Sequence, residues 1–578
     1  MEALNELEAF AYHPGASSST ADEAPRKRPR VAPRDASDLL AQAEREFASS
    51  KVEVAETLDA NSLKRMILSV EKRINENLQL RVKYAEQPER FLDSELELFQ
   101  ELKALHSVAA TPELFPTFVR TRCTASLLGL LAHDNLDISS DVVDLFYEMT
   151  DADDATPEDL QSLVDALLEN DAPMALIAHM EKLNDANEEE ARCIHSTLGI
   201  FENILEARPA SAAAVAKSGL MAWTLGRLKA RGFHANKLYA AEILALLLQQ
   251  HSENQQLLGE LEGILSLLVA ASQFKRREPA DLEEAELMEN TLGCLTTSLA
   301  LPENQHRFLK AEGIELMILT LKERKYASRG ALRVLDAALR ANGANCERFV
   351  DIRGFKTVLP LIGAAPPPQP AFAKGRKERE AAQRQFDESV VGIVSTLFHQ
   401  LVGERRLRLL GKLAEDGMAK LDMLLRLRHK YAARVAAAEE EMEGAASDED
   451  GEEDELGYDE RLYLARVEAG LPCLQAIDHC LAFTCAAKAK GCKPMRQRVL
   501  LSLYEAGASL HDVWATVEES ARLDVEEKSE AVQRALDEMG EAVKALLSKY
   551  KDAAADEEEE RQPEAEEEPG EPEEDEAA

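Results

Sequence analysis

Asn254, Asn304 and Asn345 each stand nine residues before a glycine, at Gly263, Gly313 and Gly354. The three phrases run NQQLLGELEGILSLL, NQHRFLKAEGIELMI and NCERFVDIRGFKTVL, with glycines 50 and 41 residues apart. That spacing is the period of armadillo or HEAT units, allowing one insertion. A helical unit of this size cannot bury its apolar face alone and must stack on neighbours. The pattern therefore predicts an all-α, armadillo/HEAT-like right-handed superhelical solenoid with flexible acidic segments. Leu258, Phe308 and Phe349 occupy one phase of the repeat, and Ile264, Ile314 and Phe355 another, so both sets read as core contacts between stacked helices. The repeating glycines read as sharp inter-helix turns or close helix approaches.

The 578 residues exceed one ordinary compact core, which fits an elongated array or several domains. From the N-terminus, residues 1–50 read as mostly disordered and 51–122 as a helical cap. Armadillo/HEAT-like repeats are expected over 123–363, and Gly219, 44 residues before Gly263, looks like a backward extension of the series. A proline-rich and charged loop covers 364–387, with a helix expected from about Val390. Repeats continue over 388–438, an acidic disordered insertion spans 439–460, a helical region 461–550, and an acidic tail 551–578.

The formal charge is −40, and 13 of the acidic side chains lie within 439–460 and 15 within 551–578. This balance disfavours direct binding to nucleic acid or an anionic membrane and is compatible with basic protein partners. No run approaches a membrane span and no signal peptide is recognisable. Arg26, Lys27, Arg28 and Arg30 form a short basic cluster within a Ser/Ala/Pro-rich stretch. It reads as a nuclear localisation signal, implying a nuclear protein and an importin-type receptor for entry.

Catalytic and metal signatures are poor. Cys473, His479, Cys480, Cys485 and Cys492 lack the paired knuckle spacing of a structural zinc site, and buried thiols are the better reading. Glu188–Glu190 and Glu283–Glu284 read as exposed helix charges rather than a glycosidase pair. No serine elbow, kinase signature or nucleotide loop is present. The expectation is a non-enzyme without cofactor or metal, whose working surface is a concave face able to hold Arg/Lys-rich peptides.

Longer phrases sharpen this. LGLLAHDNLDISSDVVDLFYEMTDAD at 128–153, ANKLYAAEILALLLQ at 235–249, RLLGKLAEDGMAKLDMLLRLRHKYAA at 408–433 and RLYLARVEAGLPCLQAIDHCLAF at 461–483 join the repeat phrases. With them the chain resembles the beta-catenin-like protein 1 family, nuclear armadillo-type proteins associated with pre-mRNA splicing. The resemblance covers about 60–540. It implies a non-catalytic scaffold of the spliceosome-associated Prp-nineteen complex. The implied partners are a Myb-domain cell-division-cycle-five-like splicing factor, bound through basic nuclear-signal-like segments, and other proteins of that complex. Homodimerisation is left open. The competing reading is a nuclear transport adaptor for basic cargo. Against it, the chain has only Trp223 and Trp514, too few for an importin-like Trp/Asn array.

Overall fold

The computed structural model describes residues 58–152, 154–367, 376–446 and 457–523, with scattered positions between 537 and 548. The basic cluster at Arg26, Lys27, Arg28 and Arg30, the tail 551–578 and the centre of the acidic insertion lie outside the described residues. Among those described, every regular element is a helix. The chain divides into two units: one holds the residues up to Gln273 together with Ala280–Ser298, and the other holds Phe274–Pro279 and everything from Leu299 onward.

The first unit contains α1 (Ala60–Lys83), α2 (Leu92–Leu105), α3 (Phe115–Arg120), α4 (Cys123–Leu130), α5 (Leu136–Thr150), α6 (Pro157–Glu169), α7 (Ala172–Met180) and α8 (Glu188–Ala207). It continues through α9 (Ala212–Val215), α10 (Met221–Leu228), α11 (Ala235–Leu248), α12 (Ser252–Glu260), α13 (Gly263–Ser272) and α14 (Leu282–Ser298). Local chemistry sets the starts of these helices. Asp59 accepts from the Ser62 amide at 2.7 Å, Asn135 from Asp137 at 3.0 Å, and Asn187 from Glu189 at 3.0 Å. Thr156 caps α6 just ahead of Pro157. The three glutamates opening α8 belong to its first turn, where carboxylates favour the helix dipole.

Packing follows a three-helix rhythm. The long helices α2, α5, α8, α11 and α14 form one row, each against the next. The helices α4, α7, α10 and α13 form a second row. Ile194, Leu198 and Phe201 on α8 and Ile243, Leu244 and Leu247 on α11 are completely enclosed between neighbours. Before the second-row helices the chain turns through a left-handed residue: Arg122 (φ 61°), Asp171 (φ 54°) and Glu262 (φ 57°).

Gly263 has a different reason to be glycine. A Cβ there would stand 2.5 Å from Leu258 Cγ and 2.7 Å from its carbonyl oxygen. The turn and the close approach are thus divided between two adjacent residues. Gly219 corrects the expected register by one. Its own φ of 116° places it in the left-handed position that Glu262 fills one repeat later, so Leu220 takes the place of Gly263.

The second unit contains α15 (Pro302–Lys310), α16 (Gly313–Glu323), α17 (Ala327–Leu339), α18 (Gly343–Asp351), α19 (Phe355–Val358), α20 (Arg376–Gln400) and α21 (Gly403–Ala446). Then come α22 (Tyr458–Ala469), α23 (Leu471–Ala486), α24 (Lys493–Glu505) and α25 (Leu510–Leu523). Here the repeat turns fall at Glu312 (φ 57°) and Arg353 (φ 64°). Gly313 and Gly354 lie under Phe308 and Phe349, with ring carbons 2.5 and 2.3 Å from where a Cβ would stand. α20 packs on α17 and α23, and α23 also packs on α21 and α25.

Two sequence boundaries move. The charged stretch assigned to a loop through 387 is helical from Arg376, because Ala382 and Phe386 are already buried on one side while the charges face water. The acidic insertion placed at 439–460 is entered by helix as far as Ala446 and left by helix from Tyr458. Glu439 there pairs with Arg466 at 2.8 Å. α21 is interrupted at 415–418, where Asp416, Gly417 and Met418 all have positive φ.

The polar core of this unit is organised around α21. Arg428 Nε donates to Asp478 Oδ1 at 2.7 Å with both side chains buried. Asp387 accepts from Lys430 Nζ at 3.0 Å, the Tyr431 hydroxyl at 2.8 Å and Gln383 Nε2 at 2.8 Å. Buried charges paired in this way are costly to break singly.

Candidate functional site

The repeat asparagines are internal. Asn254, Asn304 and Asn345 are fully buried. Asn254 Nδ2 donates to the carbonyls of Leu247 at 2.7 Å and Ala212 at 3.2 Å. Asn345 Nδ2 repeats the arrangement on Ala338 at 2.7 Å and Gln305 at 3.4 Å. Asn304 Oδ1 accepts from Arg307 at 3.0 Å. In the first and last of these, one bond closes the bend after the preceding long helix and the other reaches the equivalent short helix one repeat earlier. Buried amides used in this way hold layer spacing. With Gly263, Gly313 and Gly354 packed beneath aromatic or leucine side chains, all six repeat positions are structural and none faces a partner.

The cysteines give no reactive centre among the described residues. All eight are buried and unpaired, and burial pushes the thiol of Cys485 up to about 12 and raises that of Cys492. His479 is engaged with Ser520 Oγ at 2.9 Å, and its ring lies 4.9 Å from that of His399. Of the paired glutamates, Glu283 is exposed as expected. Glu284 is not: it is buried and accepts from the Ala280 amide at 2.7 Å, a helix cap.

The long-helix row of the first unit carries what the repeat positions lack. Tyr147 on α5 lies over Gly199 of α8, where a Cβ would stand 2.4 Å from the ring. Glu202 on α8 accepts from the Tyr239 hydroxyl of α11 at 2.5 Å, and the Tyr239 ring sits 4.8 Å from His195. Glu242 follows Tyr239 by one turn, and its carboxyl is raised by burial and by the charges of Glu286 and Glu202. Burial and nearby carboxylates raise the Tyr147 and Tyr239 hydroxyls as well. Four consecutive helices thus contribute to one electronegative strip.

Beside it opens a cleft of about 600 Å³ lined by Glu202, Leu205, Glu206, Pro209, Leu246 and His251 among others, with no Lys or Arg in its wall. Leu246 is 39% exposed although it lies within the apolar run of α11. Carboxylates beside an apolar wall suit a long cationic side chain, whose methylenes lie on Leu246 and Pro209 while its head group meets Glu202 and Glu206.

Sequence reasoning missed this strip because acidic residues are too frequent for any pair to stand out. The usable signal was Tyr239, Glu242 and Leu246, which recur at helical spacing on a helix whose other face buries Ala240, Ile243, Leu244 and Leu247 after Asn236 and Lys237 in its first turn.

Among the described residues, no helix is long and apolar enough to cross a membrane. Residues 36–518 match a family model described as catenin-beta-like, Arm-motif containing nuclear. The chain is 41% identical over 471 residues to beta-catenin-like protein 1 of Rattus norvegicus, covering 80% of this chain and 82% of that one. The Homo sapiens protein of that name matches to the same extent, at 41% identity over 471 residues. The beta-catenin-like protein 1 homolog of Schizosaccharomyces pombe is 30% identical over 378 residues, 64% of each chain. The repeat phrases, the three-helix layers and these matches agree: the chain belongs to the beta-catenin-like family of armadillo-motif nuclear proteins.

Proposed function

We propose that the chain is a non-catalytic scaffold acting in pre-mRNA splicing within the Prp-nineteen complex. In this reading it holds basic, nuclear-signal-like segments of a Myb-domain cell-division-cycle-five-like factor, and it works in the nucleus. The observation that carries the binding mode is the cleft whose wall joins Glu202 and Glu206 to Leu205, Pro209 and Leu246 with no Lys or Arg, with Glu242 one turn before Leu246 on α11. Exposed ion pairs contribute only about 0–1 kcal/mol each, so affinity comes from several contacts plus the apolar wall. The splicing assignment rests on kinship with the beta-catenin-like family.

The test has two arms. Anisotropy of a fluorescent Lys/Arg-rich peptide from the Myb-domain factor should show binding to the full chain, weakened about tenfold by Glu202→Gln with Glu206→Gln, roughly two lost surface pairs. Unchanged affinity would remove the cleft from the mechanism. Purification of the native protein from nuclease-treated nuclear extract should recover splicing proteins. Recovery of pore receptors and diverse cargo without them would establish the transport-adaptor reading instead.

A further inference from the structure

The long-helix row of the first unit is aromatic as well as acidic where α5, α8 and α11 meet. Tyr147 of α5 rests on α8 at Gly199, where any side chain would displace its ring. Tyr239 of α11 reaches α8 from the opposite flank, because α5 and α11 pack on either side of that helix. Its hydroxyl donates to Glu202 Oε2 at 2.5 Å, and its ring lies 4.8 Å from that of His195, tilted by 50°. His195, Gly199 and Glu202 are spaced four and three residues apart, so they share one face of α8. Both tyrosines are half-buried and His195 is exposed, which leaves aromatic surface open to solvent beside a carboxylate.

Elsewhere the protein's own arginines already use such rings. Arg90 stands 4.8 Å from the Tyr84 ring, Arg227 4.8 Å from Trp223 and Arg277 5.2 Å from Phe274. Among the described residues, no Lys or Arg covers Tyr147 or Tyr239. Neither α5 nor α14 contains a Lys or Arg. α8 has Arg192, three residues before His195, and α11 has Lys237, whose Nζ donates to the Ala230 carbonyl at 2.6 Å. Against these few cations stand Glu202 and, one turn after Tyr239, Glu242.

We infer, on the basis of the basic-segment reading above, that this surface seats arginine and so selects Arg over Lys in the segments the chain holds. A guanidinium is planar and weakly hydrated; it stacks on an aromatic ring and turns its N–H fork toward carboxylates. Glu202 has a second oxygen beyond the one that accepts from Tyr239, and Glu242 adds another carboxylate alongside. An ammonium is a compact, strongly hydrated charge with no planar fork to share between a ring and two carboxylates. The cleft on the far side of Glu202 takes the neighbouring residue of the segment against Leu246 and Pro209.

Anisotropy of the full-length chain with two labelled octapeptides, one of alternating Arg and Ala and one of alternating Lys and Ala, tests this at equal charge. The Arg peptide should bind about fivefold tighter. Tyr147→Leu/Tyr239→Leu should bring the ratio to about one by weakening the Arg peptide, and retained Lys-peptide affinity shows that the variant is folded. Tyr147→Phe/Tyr239→Phe keeps both rings and should keep the preference. His195→Ala, at an exposed position, should lower the ratio to about half without disturbing the fold. Equal affinities in the unsubstituted protein overturn the inference and leave the basic-segment reading standing. So does a preference unchanged by both Tyr147→Leu/Tyr239→Leu and His195→Ala. Binding of neither peptide overturns the two together.

Discussion

Gly313→Ala is the sharpest probe of how the repeats are built. The added methyl carbon would meet three ring carbons of Phe308 at 2.5–2.6 Å, about 1 Å inside ordinary contact. Neither partner yields easily. Phe308 is fully buried, and the backbone is held by the left-handed turn at Glu312. Overpacking of this kind costs about 1–3 kcal/mol. The entropy lost with glycine returns about 0.4–1 kcal/mol. The net expectation is a destabilisation of about 1–2 kcal/mol, the cost outweighing the gain. Gly411→Ala supplies the control in the same unit, since a Cβ there meets nothing within 4 Å. It should stabilise by about 0.5–1 kcal/mol as an ordinary helix-interior replacement. Urea denaturation in a Trp223→Phe background leaves Trp514 to report on the second unit, which avoids treating a two-unit chain as one transition. A double-mutant cycle with Phe308→Ala completes the test, because removing the ring should make Gly313→Ala neutral or stabilising. Equal effects of Gly313→Ala and Gly411→Ala, or no coupling to Phe308, would refute the packing account.

Arg428→Met should destabilise the second unit, because it takes the partner from the buried Asp478 carboxyl, which burial already pushes up to about 7. The loss should grow as pH rises above neutral, up to about 3–5 kcal/mol where the group must ionise unpaired, and the same denaturation assay reads it. Asp336 gives a pH signature. Burial pushes its carboxyl up to about 6, with Arg340 opposing and Glu388 adding to the rise. The folded state therefore keeps a proton that the unfolded chain, with a value near 3.9, has released. Stability from this group is present below about pH 4 and is lost as pH rises to about 6, so Asp336→Asn should stabilise by about 1–2 kcal/mol at pH 7.5 and by little at pH 4. The raised carboxyl of Glu242 predicts that basic-peptide binding weakens on acidification at a higher pH than an ordinary glutamate would cause, and Glu242→Gln should remove that early phase in anisotropy titrations.

The fold was largely legible because its period is written in residues that cannot be exchanged freely. Gly263, Gly313 and Gly354 are glycine for contact with the side chain five residues earlier, and Asn254 and Asn345 are asparagine because a buried amide spans two layers. Boundaries were less legible where charge and helix coincide. The stretch from Arg376 reads as solvated loop until Ala382 and Phe386 are seen to be buried, and helix formers with a charged outer face give the same composition either way. Gly219 misled by one residue because glycine satisfies both the left-handed turn and the close approach, and sequence alone does not say which. The acidic strip was hidden for another reason. Glu202, Tyr239, Glu242 and Glu286 come from three helices separated by tens of residues, and only the stacking brings them together.

That separation has a physical consequence for how the molecule can be altered. The buried asparagines and glycines set the distance between layers, whereas Glu206 and Leu246 project from the long helices and take little part in closing them. Substitutions in the first group should appear in denaturation curves and reach peptide binding only through lost spacing. Substitutions in the second should shift peptide affinity and leave unfolding within about 0.5 kcal/mol of the parent, the usual range for surface changes. Glu202 belongs to both groups, since its bond to Tyr239 ties α8 to α11 while its charge faces the cleft. Tyr239→Phe distinguishes the two roles: it removes the tie and leaves the carboxylate. If Glu202 acts mainly through charge, the variant loses stability by about 0.5–1.5 kcal/mol, one hydrogen bond, and keeps its affinity for the basic peptide. Loss of affinity beyond what unfolding accounts for would show that the orientation imposed by Tyr239, rather than the charge alone, makes the strip a binding surface.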